Sequence, residues 1–144
     1  MRVMVIVKAT EEAENETNPA GFAESTLEML AAMGKFNEEL VKAGVMLAGE
    51  GLHARSKGAR VKFKGKERTV VDGPFAETKE LVAGFWILQC RTKDEVIEWV
   101  KRCPNPMDGP SEIEIRQIFE LDEFGEELTP ELRAQEERLR NQTK

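Results

Sequence analysis

The sequence predicts an α+β fold in one domain: two β-α-β units that share one sheet, with a β-hairpin inserted between them. Three observations predict it. Short apolar runs of strand length alternate with two segments whose apolar residues recur at helical spacing. Two further strand-like runs are separated by Gly65-Lys66, a hairpin spacing. The chain has 144 residues, the size of one domain, at ~100–200 residues each, and enough to bury about 68–70% of its unfolded surface.

Val3, Val5 and Val7 alternate with Met4, Ile6 and Lys8. Both sets are largely apolar, so this first strand is expected to be covered on both faces. Residues 11–18, EEAENETN, read as a polar loop. Asn18-Pro19 or Ser25 opens a helix, and Ser25 with Glu28 has the form of a capping box. Met29, Met33, Phe36 and Leu40 then fall on one helical face. Gly34 inside this helix costs ~1 kcal/mol against Ala, Glu38 and Lys42 form a favourable i,i+4 pair, and Gly44 ends it as a C-cap glycine.

Residues 45–52 read as a second strand, whose glycines at 49 and 51 mark a bulge or a close backbone approach. Residues 61–64 and 68–71 form the hairpin. Asp72-Gly73-Pro74-Phe75 signals a turn, and residues 83–91 read as the next strand. Thr92 caps a second helix with Glu95 at N3; Val96, Val100 and Cys103 line one face, and Pro104 stops it. After a loop at 105–110, Ile113 and Ile115 alternate with Glu112, Glu114 and Arg116 in a last strand. The order is the split, ferredoxin-like plan. Residues 1–121 form the domain, and 122–144 a helical extension opened by Thr129-Pro130. Leu132 and Leu139 are that helix's only large apolar residues, so it is expected to be mobile or to dock on a partner chain.

Acids outnumber bases 27 to 21, a net charge of −6, which argues against a nucleic-acid or membrane-surface binder. Residues 55–68 depart from this, with seven bases against Glu67 alone, a local +6. Lysines on one hairpin face are what an edge strand uses to avoid pairing with neighbours, with Val61 and Phe63 then facing inward. Anion or nucleic-acid binding is the other reading; no interleaved aromatics support it. Cys90 and Cys103 lack metal or redox spacing and read as a reduced pair in a cytoplasmic protein. No signal peptide and no apolar run of ~20 residues is present. No cofactor or metal is expected. Gly49-Glu50-Gly51 lacks the rest of a dinucleotide loop, His53 is the single His, and no P-loop, HExxH or nucleophile elbow occurs.

Asp72-Gly73-Pro74-Phe75-Ala76-Glu77-Thr78-Lys79-Glu80, followed by Gly84-Phe85-Trp86-Ile87-Leu88, resembles the signature of the YCII-related, DGPF-domain family. Ala48-Gly49-Glu50-Gly51-Leu52, Glu98-Trp99, Arg102-Cys103-Pro104 and Glu112-Ile113-Glu114-Ile115-Arg116 are similar to its second strand, second helix and last strand. The resemblance implies a dimeric α/β barrel, in which two ferredoxin-like sheets pack face to face, with no activity firmly assigned. A more distant branch has a His–Asp pair proposed as catalytic and includes a lactone dehalogenase. That His lies on the first helix, and residues 26–43 contain no His, so the pair and its chemistry do not carry over. Members are often encoded beside alternative sigma factors, which motivates a signalling reading.

The candidate site is then the cleft between sheets. Asp72 reads either as an Asx turn bonding its own backbone or as an acid–base group aimed into that cleft. Lys79 and Arg116 would hold an anionic substrate, Glu114 would share the charged face of the last strand, and Trp86 would form an apolar wall. The expected function is a small-molecule enzyme acting in the cleft of a homodimer. The alternative is a non-catalytic module binding a ligand or regulator through the same cleft or the C-terminal helix. Nucleic-acid binding through residues 55–68 trails both.

Overall fold

Alternation along the first strand sets the two faces of the sheet. In the computed structural model, which describes residues 1–10, 26–73, 81–107 and 109–143, β1 (Arg2–Lys8) buries Val3, Val5 and Val7 and leaves the residues between them half-buried. It is followed by α1 (Thr26–Lys42), β2 (Met46–Gly51), β3 (Ala59–Lys64), β4 (Glu67–Asp72) and β5 (Val82–Gln89). After these come α2 (Lys93–Lys101), β6 (Ile113–Gln117) and α3 (Pro130–Gln142). Short 3-10 turns span Arg55–Lys57 and Leu121–Glu127. The four-stranded sheet has the order β2-β5-β1-β6, and β3-β4 form a second sheet of two strands. All the pairings are antiparallel, so the architecture is mixed α+β.

One face of the larger sheet carries the core. Val3, Val5, Trp86 and Leu88 meet Phe36 and Leu40 from α1 and Val96 from α2. Leu40 and Val96 are fully buried, each worth ~1.5–3 kcal/mol against exposure. Phe36 and Leu40 lie on the apolar face that the spacing of α1 predicts, with Met33 packed beside the core.

Local signals determine the helix ends. Gly44 sits at φ 72°. The Val45 N–H donates to the Leu40 carbonyl at 3.1 Å and the Gly44 N–H to the Val41 carbonyl at 3.0 Å, a Schellman end that then buries Val45. Thr92 Oγ1 accepts from the Glu95 N–H at 3.1 Å, while the Glu95 carboxylate accepts from the Arg91 N–H at 3.1 Å rather than from Thr92 itself. Thr129 Oγ1 caps α3 through the Leu132 N–H, with Pro130 in the first turn. The Ser25 cap and the loop at 11–18 lie outside the described residues.

Two expectations change. Among the described residues of the single chain β1 is covered on one face only, and Met4, Ile6 and Lys8 lie on the other. The hairpin turns through Gly65, at φ 58°, and Lys66 as its sequence suggests, but Val61, Phe63 and Val70 are 51%, 72% and 65% exposed rather than turned inward. The reason is topological: β3 and β4 pair only with each other, so among the described residues no core lies behind them. Of the two readings of the β2 glycines, close approach holds at Gly49, where a Cβ would lie 2.7 Å from Trp86 Cδ1; the irregularity in β2 falls between Met46 and Ala48.

Candidate functional site

The antiparallel registers line up two rows of side chains across the uncovered sheet face. Glu50, Phe85, Ile6 and Glu114 form one row; Ala48, Ile87, Met4 and Arg116 form the other. The middle of each row is apolar and half-buried. Charge collects at the β6 edge. Lys8 Nζ lies 3.8 Å from Glu114 Oε1, and Arg116 Nε lies 3.8 Å from Glu114 Oε2. One carboxylate thus sits between two cations, leaving a local +1. Contacts this long at a wet edge add little stability. The Arg116 side chain is 74% exposed, so its guanidinium keeps donors for a carboxylate or phosphate.

Of the residues singled out from sequence, Glu114 and Arg116 are brought together here. Trp86 is not with them. Expected as an apolar wall beside those charges, it points to the helix side, 7% exposed. Its indole N–H donates to Asn37 Oδ1 at 2.9 Å, and its ring meets Phe36 edge-on, centroids 5.7 Å apart. Ile6 and Met4 supply the apolar surface directly beside Glu114 and Arg116 instead, with Phe85 and Ile87 next along each row. Asp72 is exposed at the end of β4, opposite Ala59. Gly73 follows it against the 3-10 turn, where a Cβ would overlap the Arg55 carbonyl oxygen. Among the described residues no hydrogen bond or ion pair joins Asp72 to Glu114 or Arg116. Lys79 and Glu77 lie outside the described residues. His53 is exposed between β2 and the 3-10 turn.

Two contacts were missed from sequence. Lys8 is one, although a lone cation ending an apolar strand was its signal. Arg2 is the other: its Nε and Nη2 reach Glu120 Oε1 and Oε2 at 2.9 and 3.2 Å, a forked pair tying the start of β1 to the chain beyond β6. No short-range pattern links residues 118 positions apart.

A family model for the YCII-related domain matches residues 1–122. The chain belongs to the YCII-related family. Among curated proteins, an uncharacterized protein of Rhizobium meliloti (strain 1021) is 33% identical over 60 residues, 42% of this chain and 48% of that protein. The match thus spans about half the relative's length.

In this YCII-related chain the thiols are not poised as nucleophiles. Burial pushes Cys103 up to about 11 and also raises Cys90, and both are free. An open depression of about 730 Å³ lies at the Met1 end of the sheet, beside Gly44, Gln89 and Arg91, away from the Lys8–Glu114 end. Among the described residues no group of three or more His, Cys, Asp or Glu is placed to hold a metal ion, and no helix is long and apolar enough to cross a membrane.

The Arg2–Glu120 fork carries a pH prediction. The hydrogen bond from Arg2 holds the Glu120 carboxyl below its ordinary range. A folded value below the unfolded one gives stability that is present above the ordinary carboxylate range and lost as pH falls through the lowered folded value. Acid titration of unfolding, compared with Glu120→Gln, should show a loss of stability in the wild type as pH falls below about 4.5 that the variant lacks. Parallel curves would show that the fork contributes nothing.

Proposed function

We propose that two copies of this YCII-related chain pack the uncovered faces of their ferredoxin-like sheets together as a dimeric α/β barrel. A small anionic molecule is then bound and transformed in the chamber between them. One observation carries this reading: a sheet face whose centre is Met4, Ile6, Phe85 and Ile87, and whose edge holds Glu114 between Lys8 and Arg116. A sheet face left to water usually alternates to polar residues, so an apolar centre supports burial against a second copy. Desolvation on closing the chamber would strengthen the attraction of Arg116 and Lys8 for an anion. Asp72 would serve as acid–base group, Lys79 as a further cation, and Phe85 as the apolar wall. Free Cys90 and Cys103 fit a reducing, cytoplasmic setting.

The test is calorimetric titration with small carboxylates and inorganic phosphate. At least one should bind the wild type, and Arg116→Gln should weaken it about tenfold or more, the scale of a lost charge-assisted hydrogen bond. No binding, or equal binding by both proteins, overturns the site. The exposure of Asp72, and its lack of contact with Glu114 or Arg116, favours a second reading, a non-catalytic module that binds a ligand or a regulator. Following the bound molecule by NMR separates the two: turnover supports the enzyme, and unchanged ligand supports the module.

A further inference from the structure

We propose that the basic hairpin β3–β4 of one chain docks on the acidic, aromatic segment 119–127 of a second copy. The geometry rests on the face-to-face dimer proposed above. Residues 55–68 carry seven bases and one acid, a local +6; residues 119–127 carry five acids and no base, a local −5, with Glu120 and Asp122 paired to Arg2 and Arg133. Each also exposes apolar surface. Register places Val61 and Val70 side by side on one hairpin face with Phe63, over which the Arg68 guanidinium lies at 4.5 Å from the ring centroid. On the acidic segment Phe119 and Phe124 are 70% and 46% exposed and stack on each other at 5.5 Å. Arg2 anchors the segment through Glu120, and the Glu120–Glu123 capping box shapes it. Arg68 is the base on the Phe63 face, while Lys62 and Lys64 lie on the other and add only to the longer-range attraction for acidic surface.

The two surfaces leave the sheet at opposite ends. The hairpin follows Gly51, which pairs with Gly84 at the Val7 end of β1. The acidic segment follows Gln117, which pairs with Val3. The hairpin leaves the β2 edge and the acidic segment the β6 edge, so the two lie at diagonally opposite corners of the sheet. Two sheets packed face to face about a two-fold axis running through those two corners would set hairpin against hairpin, +6 on +6. The other diagonal axis sets each hairpin over the partner's acidic segment, and makes two identical contacts. The charges therefore select the second arrangement.

The experiment uses full-length chains. A Phe63→Cys chain is mixed with a Phe124→Cys chain under mild oxidation, and light scattering gives the oligomeric state of the wild type. A mixed disulfide that dominates over either homodisulfide supports the docking. Cross-linking no better than Phe63→Cys with itself overturns it; a wild type still dimeric then leaves the sheet-to-sheet reading standing, whereas a monomer with no cross-link overturns both. As a second arm, Arg68→Glu, on the same hairpin face as Phe63, should weaken the dimer about tenfold or more at low salt, and adding Glu126→Lys with Glu127→Lys should restore it. Failure of rescue counts against the contact. So does tight binding of a 20-nucleotide RNA or DNA duplex through Lys62 and Lys64 in place of the cross-link.

Discussion

Trp86→Ala is expected to lower the free energy of unfolding by about 3–5 kcal/mol. The side chain is 7% exposed at the centre of the core. It fills the space between Phe36, Met46 and the backbone of Gly49, which a Cβ would close completely. Truncation leaves a large void in a rigid sheet-and-helix sandwich and strands the Asn37 carbonyl that its indole N–H satisfies at 2.9 Å. Trp86→Phe keeps most of the volume and loses the hydrogen bond, so it should cost less, about 1–3 kcal/mol. Natural domains hold about 5–15 kcal/mol in total, so Trp86→Ala should take away a large part of the margin. Urea unfolding of the three proteins measures this. A loss below about 1 kcal/mol for Trp86→Ala would mean that the core closes over the void.

Phe85→Asp, one residue earlier, is expected to do the opposite: leave the fold intact and turn the proposed dimer into a monomer. Phe85 sits on the uncovered face between Ile6 and Glu50, half-buried in the single chain. A carboxylate there stays hydrated in a monomer. In the chamber it would lose its water with no cation opposite in its row, a cost of several kcal/mol. Light scattering should fall from dimer to monomer mass while circular dichroism and the urea midpoint barely move. A Phe85→Asp protein that still dimerises would place the interface elsewhere. Two neighbours on one strand are thus expected to act separately, Trp86 in folding and Phe85 in the proposed association, because successive side chains point to opposite faces.

The helices and turns were legible because their signals are short. Gly44, Thr92, Thr129 and Gly65 each act through a backbone angle or a hydrogen bond within about four residues, and the structure places each where its neighbours demand. The face of α1 bearing Phe36 and Leu40 was legible for the same reason, since helical spacing needs no partner to be read. β6 was equally clear: Ile113 and Ile115 against Glu114 and Arg116 leave one choice of inner face.

Residues in β5 were not so readable. Its sequence, VAGFWILQ, is apolar on both faces, so alternation could not say whether Phe85 or Trp86 turns to the helices. Pairing decided it, with Gly49 opposite Trp86 making room for the indole. The same holds for the hairpin, where alternation correctly separates Val61 and Phe63 from Lys62 and Lys64 but cannot reveal that none of the described residues forms a core behind them.

By itself, then, the amino-acid order determined the elements, their ends, the charged edge of β6 and the opposite charges of two distant segments. The tertiary structure alone decided which face of β5 became core, that Lys8 joins Glu114 and Arg116, and that Arg2 holds Glu120. Elements form from interactions spanning one turn or one pleat, which neighbouring residues carry. Faces and partners depend on strand registers between residues tens of positions apart, and those follow only from packing the whole chain at once.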